Sequence, residues 1–156
     1  QALALQCPER VQRLILISSA PAANDNAVLQ ELAPHIAALQ DPVSTDFIVE
    51  FQTPANPIPA NFFARLIAES QKVPAHVWRD AFAGLLTVDN TATLKNITAP
   101  TLVMWGKQDQ LFVREEQETL LGHLPGALLQ EYHTGHGPHW EKPREVAADL
   151  VHFLQG

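Results

Sequence analysis

The sequence predicts an α/β fold in which a partial doubly wound parallel sheet of three strands carries an inserted group of helices. The sheet is predicted by two nearly continuous apolar runs, at 13–18 and 101–105, and by a weaker run at 127–132. Such runs are typical of strands buried on both faces. Helical spacing of apolar residues follows at 114–124 and 144–154. The end of the chain therefore alternates strand and helix, as a parallel sheet requires.

Prolines mark the limits of the outer helices. The first helix, predicted at 1–6, ends at Cys7-Pro8 because proline lacks a backbone donor and restricts the residue before it. In the last helix Pro143 stands where a first helical turn tolerates it, since the missing N–H would have no partner there.

The long stretch between the first two strands contains no convincing strand. Apolar residues at three- and four-residue spacing, separated by prolines, predict four helices at 27–40, 44–52, 61–71 and 75–86. A crossover between parallel strands needs only one helix. We therefore predict a core made of 1–20 and 92–156, with a helical cap at 21–91. The cap is expected over the carboxyl ends of the strands, where open α/β sheets bind ligands.

Composition limits the class of protein and its partners. The chain has 156 residues, of which 46% are hydrophobic and 17% charged, as in a globular domain. A net charge of −7 argues against nucleic acid or an anionic membrane surface as partner. The single cysteine, Cys7, excludes an internal disulfide, and no apolar run is long enough to predict a transmembrane span. Gln1 is not a usual start, so we expect the natural N-terminus upstream, and a cytoplasmic location.

Two loops near the end of the chain carry residues suited to catalysis. Asp109 follows the strand at 101–105, and His136 lies between Gly135 and Gly137. A carboxylate can bind one ring nitrogen of a histidine, fix its tautomer and stabilise the imidazolium that forms during acyl transfer. The alternatives are a turn or N-cap role for Asp109 and an ordinary surface position for His136.

The histidines also raise the question of a metal site. His133, His136 and His139, with Glu141 as a fourth ligand, have the residue types that zinc prefers. Their spacing runs through a loop with two glycines and a proline, so convergence on one ion is not ensured. Packing and loop anchoring are the simpler roles for His139 and Trp140. For Glu141 the simpler role is a favourable charge at the start of the last helix.

Several other residues have structural roles as the simpler interpretation. Ser18 and Ser19 end the first strand without the flanking glycines of a nucleophile elbow, so we expect them in a turn or pocket floor. Asp25 is expected to cap the helix that begins at Ala27, rather than to act as an acid. Aromatic residues in the predicted cap should mostly pack helices, while a subset could line an apolar pocket. They are Phe47, Phe51, Phe62, Phe63, Trp78 and Phe82.

Taken together, these motifs resemble the C-terminal half of an α/β-hydrolase. The resemblance rests on Pro-Glu-Arg-Val at 8–11, the stretch at 94–101, Trp-Gly-x-x-Asp at 105–109 and Gly-His-x-x-His-x-Glu-x-Pro at 135–143. It runs the length of the chain and is weakest in the cap. It implies that the strands are the sixth to eighth of the family's sheet, and that no metal or organic cofactor is used. It also implies that Asp109 is the triad acid and His136 the general base.

The resemblance also implies what lies outside these residues. No Gly-x-Ser-x-Gly occurs in the 156 residues, and 1–6 resembles the helix that follows the elbow. We therefore expect the nucleophile, the oxyanion hole and the first five strands upstream. The chain alone should be inactive. Its bare first strand should self-associate or pair with the missing N-terminal half.

The implied activity is hydrolysis of an ester or lactone of a small, mostly apolar acid through an acyl-enzyme. An aspartate as the missing nucleophile would instead indicate a dehalogenase or epoxide hydrolase. Two alternatives remain at this stage: a non-catalytic fragment that binds a ligand or partner, and a zinc-dependent hydrolase using the three histidines.

Overall fold

In the computed structural model, which describes residues 1–156, the chain forms two compact units. The first contains Gln1–Ala22 and Asp89–Gly156, and the second contains Ala23–Val88. The helices in chain order are α1 (Ala2–Gln6), α2 (Ala27–Ala37), α3 (Thr45–Gln52), α4 (Ala60–Ser70), α5 (Ala75–Leu85), α6 (Arg114–His123), α7 (Pro138–Glu141) and α8 (Pro143–Gln155). Short 3-10 turns occur at Pro8–Arg10 and Leu94–Asn96. No helix is both long and apolar enough to cross a membrane.

The first unit is built on a three-stranded sheet. Its strands are β1 (Leu14–Ile17), β2 (Thr101–Gly106) and β3 (Leu128–Tyr132), in the order β1-β2-β3. Both pairs are parallel, with Leu14 opposite Thr101 and Leu102 opposite Leu128. Every residue of the central strand β2 is buried. The predicted α/β class and parallel sheet are therefore confirmed.

Helices cover both faces of this sheet. On one face Leu16 and Val103 pack with Leu120 of α6, and α1 contributes to the same cluster. On the other face Met104 packs with Val146 of α8. The alternation of side chains along β2 explains why an unbroken apolar run is needed, since each successive residue enters a different core.

Helix α8 is also tied to the sheet by a polar contact. The hydroxyl of Tyr132, at the end of β3, donates to Asp149 Oδ2 over 2.7 Å. Burial raises the pKa of Tyr132, and the hydrogen bond and negative charge of Asp149 add to that effect. The tyrosine therefore keeps its proton and remains a donor to α8.

The second unit consists of helices α2 to α5 around a small apolar core. That core contains Val43, Ile48, Ile67 and Ala75, with Leu39, Phe47, Phe63 and Trp78 packed against it. Aromatic rings also contact one another inside this unit. The centroid of the Trp78 ring is 5.8 Å from that of Phe47 and 5.2 Å from that of Phe51.

The prediction of the residue that caps α2 was wrong by one position. The side chain of Asn26, not of the exposed Asp25, accepts the N–H of Leu29 over 3.0 Å. Both residue types are good N-caps. Asn26 takes the position because its extended backbone, with φ −69° and ψ 118°, directly precedes the first helical residue, Ala27. Elsewhere the predicted elements shift at their ends by up to three residues. The four-residue α7 was not predicted, since it is too short to show a period.

Candidate active site

The loop after β2 runs close beside the segment after β3. At Gly106 an added Cβ would lie 2.1 Å from the carbonyl oxygen of Gly135 and 2.4 Å from that of Thr134. The N–H of Gln108 donates to Thr134 O over 2.9 Å. Only glycine permits this approach of two backbones, and it brings the loop that carries Asp109 beside the one that carries His136.

The carboxylate of Asp109 has partners on both oxygens. Oδ1 accepts the N–H of Leu111 at 2.9 Å and of Phe112 at 3.2 Å. Oδ2 lies 2.9 Å from Nδ1 of His136. The Asp109 side chain is fully buried. One oxygen therefore shapes the loop, in the manner of an aspartate turn, and the other is left to face the imidazole.

The imidazole of His136 is half exposed, with 50% of the side chain accessible. Its ring packs against Phe112 at 5.7 Å between centroids. A carboxylate beside Nδ1 favours the tautomer with the proton on that nitrogen. The other ring nitrogen, Nε2, then carries the lone pair.

The alternatives for Asp109 were a turn or a cap of the following helix, and its contacts are those of a turn, whereas the N-cap residue is Val113. Helix α6 begins at Arg114 with its own capping contact, because Glu116 Oε2 accepts the N–H of Val113 over 2.7 Å. The turn contacts of Asp109 and its contact with His136 coexist on different oxygens.

The sequence predicts Glu141 as a favourable charge before the last helix, and Glu141 lies two residues before α8 begins at Pro143. Glu141 ends α7, and its Oε1 accepts the N–H of Gly135 over 3.0 Å. On the other side of His136, the carbonyl of Gly137 accepts the N–H of Trp140 at 2.9 Å and of Glu141 at 3.1 Å. Hydrogen bonds among residues 135–141 therefore hold the backbone of the loop that carries His136.

The histidines do not gather into a metal site. No group of three or more His, Cys, Asp or Glu side chains is arranged to hold an ion. The His139 ring lies 5.3 Å from that of Trp140. Burial lowers the pKa of His139, and the neighbouring His136 adds to that effect. His136 therefore pairs with Asp109 and His139 packs against Trp140, and the two do not share a metal site.

Ser18 and Ser19 follow β1, and Ser18 lies in a bend. Ser18 adopts a positive φ of 46°, and its buried Oγ has no hydrogen-bond partner in the chain. Ser19 Oγ accepts from the Gln1 amide over 3.0 Å. Neither serine is flanked by glycine, and both follow the end of β1 at Ile17. The other acidic candidate, Asp25, is exposed in the second unit.

Sequence reasoning missed the residues that support the loop at 107–113, which carries Asp109 and is called the acid loop below. Trp105 Nε1 donates to the carbonyl of Phe112 over 2.8 Å, across the base of the loop. The guanidinium of Arg114 lies 5.1 Å from the Trp105 ring. Arg114 and Lys107 both pair with Glu131 of β3. The available signal was the tryptophan at the end of a buried strand, since a buried indole N–H needs an acceptor.

A parallel α/β sheet whose carboxyl-end loops bring a buried carboxylate against a histidine is typical of hydrolases with a nucleophile–histidine–acid triad. The chain belongs to the α/β hydrolase fold family, whose family model matches residues 1–143.

The curated relatives are matched over only part of their own length. The chain is 30% identical to the biotin biosynthesis bifunctional protein BioHC of Teredinibacter turnerae, over 98% of the chain and 30% of that protein. It is 32% identical to monoacylglycerol lipase abhd6-A of Xenopus laevis, over 49% of the chain and 24% of the lipase. The chain therefore spans about a third of the first of these relatives.

Solved structures share the fold over almost the whole chain. A hydrolase from Pseudomonas aeruginosa superposes with a TM-score of 0.82 at 23% identity, covering 99% of this chain and 60% of that one. An esterase from Exiguobacterium antarcticum gives a TM-score of 0.82 at 20% identity, covering 99% and 63%. An enol-lactonase from Burkholderia xenovorans gives 0.73 at 17% identity, covering 99% and 60%.

Proposed function

We propose that this chain supplies the acid and the histidine of a serine-nucleophile α/β hydrolase that acts on carboxylic esters or lactones. The observation that carries the proposal is the 2.9 Å contact between His136 Nδ1 and the buried Oδ2 of Asp109. The family supports a hydrolase, and the esterase and enol-lactonase among the similar structures favour ester chemistry.

In the proposed reaction Nε2 of His136 removes the proton from the serine hydroxyl as its oxygen attacks the substrate carbonyl. Asp109 stabilises the imidazolium through the Nδ1–H bond. The imidazolium then gives the proton to the leaving alcohol oxygen, and an acyl-enzyme remains. His136 next takes a proton from water, whose oxygen attacks the acyl carbon, and returns it to the serine as the acid leaves.

The nucleophile is proposed to come from polypeptide outside these residues. No Gly-x-Ser-x-Gly occurs among the 156 residues, and the chain covers about 60% of the solved hydrolases it resembles. An aspartate in the elbow would give a dehalogenase or epoxide hydrolase instead. The absence of Gly-x-Ser-x-Gly from these residues also favours one alternative, a non-catalytic fragment that binds a ligand or a partner.

The substrate proposed is an ester or lactone of a small, mostly apolar acid. The unit Ala23–Val88 is proposed as the cap of the enzyme. Its aromatic residues Phe47, Phe51 and Trp78 contact one another. They therefore account for packing within the unit.

The test uses the complete reading frame that contains these residues. The intact protein should hydrolyse short-chain p-nitrophenyl esters and be labelled by a fluorophosphonate, which reacts with activated serines. His136→Gln should abolish both, whereas His152→Gln, an exposed histidine on α8, should abolish neither. The 156-residue chain expressed alone should not be labelled.

Three results would count against the proposal. Ester hydrolysis that His136→Gln leaves unchanged would remove His136 from the reaction. Turnover without labelling would point to an aspartate nucleophile. Neither turnover nor labelling in the intact protein would favour the non-catalytic alternative.

A further inference from the structure

One residue holds the backbone on both sides of His136. The Oε1 atom of Glu141 accepts the N–H of Gly135, the residue before the histidine, over 3.0 Å. The N–H of Glu141 donates to the carbonyl of Gly137, the residue after it, over 3.1 Å. Glu141 therefore spans the loop through its side chain on one side and its backbone on the other.

The loop needs such a support because of its composition. Gly135 and Gly137 flank His136, and glycine has the largest conformational freedom to lose on ordering. The imidazole itself is half exposed; its side chain forms a hydrogen bond to Asp109 and a ring contact with Phe112. Its own side chain therefore does little to fix the backbone that carries it.

The two sides of the loop are held differently. After the histidine, Gly137 is packed so closely that an added Cβ would lie 2.9 Å from the ring of Trp140. Before the histidine, the carbonyl of Gly135 lies against Gly106, and its N–H has the Glu141 carboxylate as acceptor. A hydrogen bond to a charged acceptor is stronger than one between neutral groups. Thr134 Oγ1 also donates to the carbonyl of Gly135, over a longer 3.3 Å. The Glu141 carboxylate is thus the charged side-chain contact that holds the N–H of Gly135.

We propose that Glu141 is a positioning residue for His136, which sets the direction of the imidazole by fixing the N–H of Gly135. The inference rests on the proposed function, because it assigns the placement of the proposed general base to this carboxylate. A displacement of about 1 Å in a catalytic group is enough to cost on the order of 100-fold in rate.

The test compares two substitutions in the complete protein. Glu141→Gln keeps the length of the side chain and a carbonyl acceptor but removes the charge. Glu141→Asp keeps the charge but withdraws it by one methylene from the N–H of Gly135. Glu145→Gln is the matched control, since Glu145 is an exposed carboxylate that pairs with Lys142 at the surface over 3.2 Å, a kind of pair with little energetic weight.

Two readouts are needed. The first is kcat and KM on a short-chain ester, together with the free energy of unfolding. The second is the low-field proton NMR signal of the His136 Nδ1–H, assigned by its loss in His136→Gln. That signal reports the hydrogen bond to Asp109 whether or not the protein turns over substrate.

We expect Glu141→Asp to lower kcat by about 10- to 100-fold while KM changes by less than about 3-fold. Its low-field signal should shift or broaden. Glu141→Gln should stay within about 5-fold of the wild type and keep the signal, because the amide oxygen still accepts from Gly135. Glu145→Gln should match the wild type in both readouts.

The proposal is overturned if the signal in Glu141→Asp equals that of the wild type. It is also overturned if kcat falls only in proportion to the folded fraction, or if Glu145→Gln shows the same losses. A wild-type protein with the signal but no turnover would contradict the proposed function alone. The NMR comparison would then still decide the role of Glu141.

Discussion

At the scale of single residues, the direction of one carboxylate is set by its own loop. The backbone N–H groups of Leu111 and Phe112 bind Oδ1 of Asp109, and both belong to the loop that carries the aspartate. The rotation that satisfies them places Oδ2 at 2.9 Å from Nδ1 of His136. The loop therefore fixes the direction of the carboxylate, as the proposed acid of a preorganised site requires.

Replacing this aspartate by asparagine separates its two roles. In Asp109→Asn the amide oxygen can still accept from the backbone, but the amide N–H₂ faces Nδ1 and favours the histidine tautomer protonated on Nε2. We expect kcat for ester hydrolysis by the intact protein to fall by about 10³- to 10⁴-fold. The free energy of unfolding should change by only about 1 kcal/mol. Steady-state kinetics and chemical denaturation measure the two effects. Activity within tenfold of the wild type would contradict the acid role.

The close approach at Gly106 gives a second test at this scale. Gly106→Ala puts a methyl group 2.1 Å from a backbone oxygen of Gly135. Since backbone cannot turn aside as a side chain can, we expect a loss of more than about 3 kcal/mol in unfolding free energy, together with loss of activity.

The control is Gly122→Ala, at a helical glycine where an added Cβ meets nothing within 4 Å. It should stabilise the protein by about 0.5 to 1 kcal/mol. Thermal and denaturant unfolding measure both variants. A Gly106→Ala protein as stable as the wild type would show that the two loops can separate without cost.

At the scale of elements, the acid loop is fastened at both ends to the neighbouring strand. Lys107 begins the loop and Arg114 follows it, and both pair with Glu131 of β3, the lysine at 3.2 Å. The hydrogen bond from Arg114 is the main cause that lowers the pKa of Glu131, and Lys107 adds to it. One carboxylate thus ties β2, the start of α6 and β3 together.

The pairing of Glu131 with Arg114 and Lys107 should make the free energy of unfolding depend on pH. Because the pKa of Glu131 is lower in the folded than in the unfolded state, its contribution is present above the ordinary value of 4.5. It is lost as the pH falls through the folded pKa. We expect Glu131→Gln to lower the unfolding free energy at pH 7 by about 1 kcal/mol or less, since the pair is partly exposed. The difference from the wild type should shrink as the pH is lowered below 4.5.

Denaturant unfolding across this pH range measures the effect. Glu69→Gln is the control, since Glu69 pairs with Lys72 just beyond the end of α4 and both side chains are highly exposed. It should change the unfolding free energy by less than about 0.5 kcal/mol. A Glu131→Gln difference that stays constant with pH would show that the loss comes from packing rather than from charge.

The start of α2 provides an independent prediction in the second unit. Asn26→Ala removes the side-chain acceptor for the N–H of Leu29 and should cost about 1 kcal/mol in unfolding free energy. Asp25→Ala, one residue earlier and exposed, should cost less than about 0.5 kcal/mol. Equal losses in the two variants would contradict the assignment of the cap to Asn26.

At the scale of the whole molecule, the two outer strands of the sheet differ in character. Strand β3 carries Gln130 and Glu131, and charge on an edge strand discourages pairing with another chain. Strand β1 reads Leu-Ile-Leu-Ile, pairs with β2 on one side and has no strand on the other. Its open side is therefore suited to accept a further strand.

We expect the 156-residue chain, when expressed alone, to self-associate through β1. An apolar strand with unpaired N–H and C=O groups is a template for pairing with another chain. Sedimentation velocity over a range of concentrations measures the association. The complete reading frame, in which we propose that an upstream strand covers β1, should not associate in this way. A monodisperse monomer of the short chain would contradict the expectation.

Much of the molecule could be predicted before its structure was known. Apolar runs and prolines are local signals, and they were enough for the α/β class, the three strands and most helix limits. Helix ends were less accurate, as the shift of the α2 cap from Asp25 to Asn26 shows, because neighbouring residues of similar chemistry compete for one position. The candidate pair Asp109 and His136 was reached from the order of strands and loops. Its catalytic role stays a prediction.

By itself, then, the sequence determined which segments are buried strands, which are helices, and that an acid and a histidine follow neighbouring strands, since these depend on periodicity along the chain. Only the tertiary structure decided the contacts between loops. It brought Gly106 against Gly135, gave Glu141 the N–H of Gly135, and placed Glu131 between two cations. Such contacts depend on where irregular backbone segments pass one another in space, and irregular segments have no period from which their path could be read.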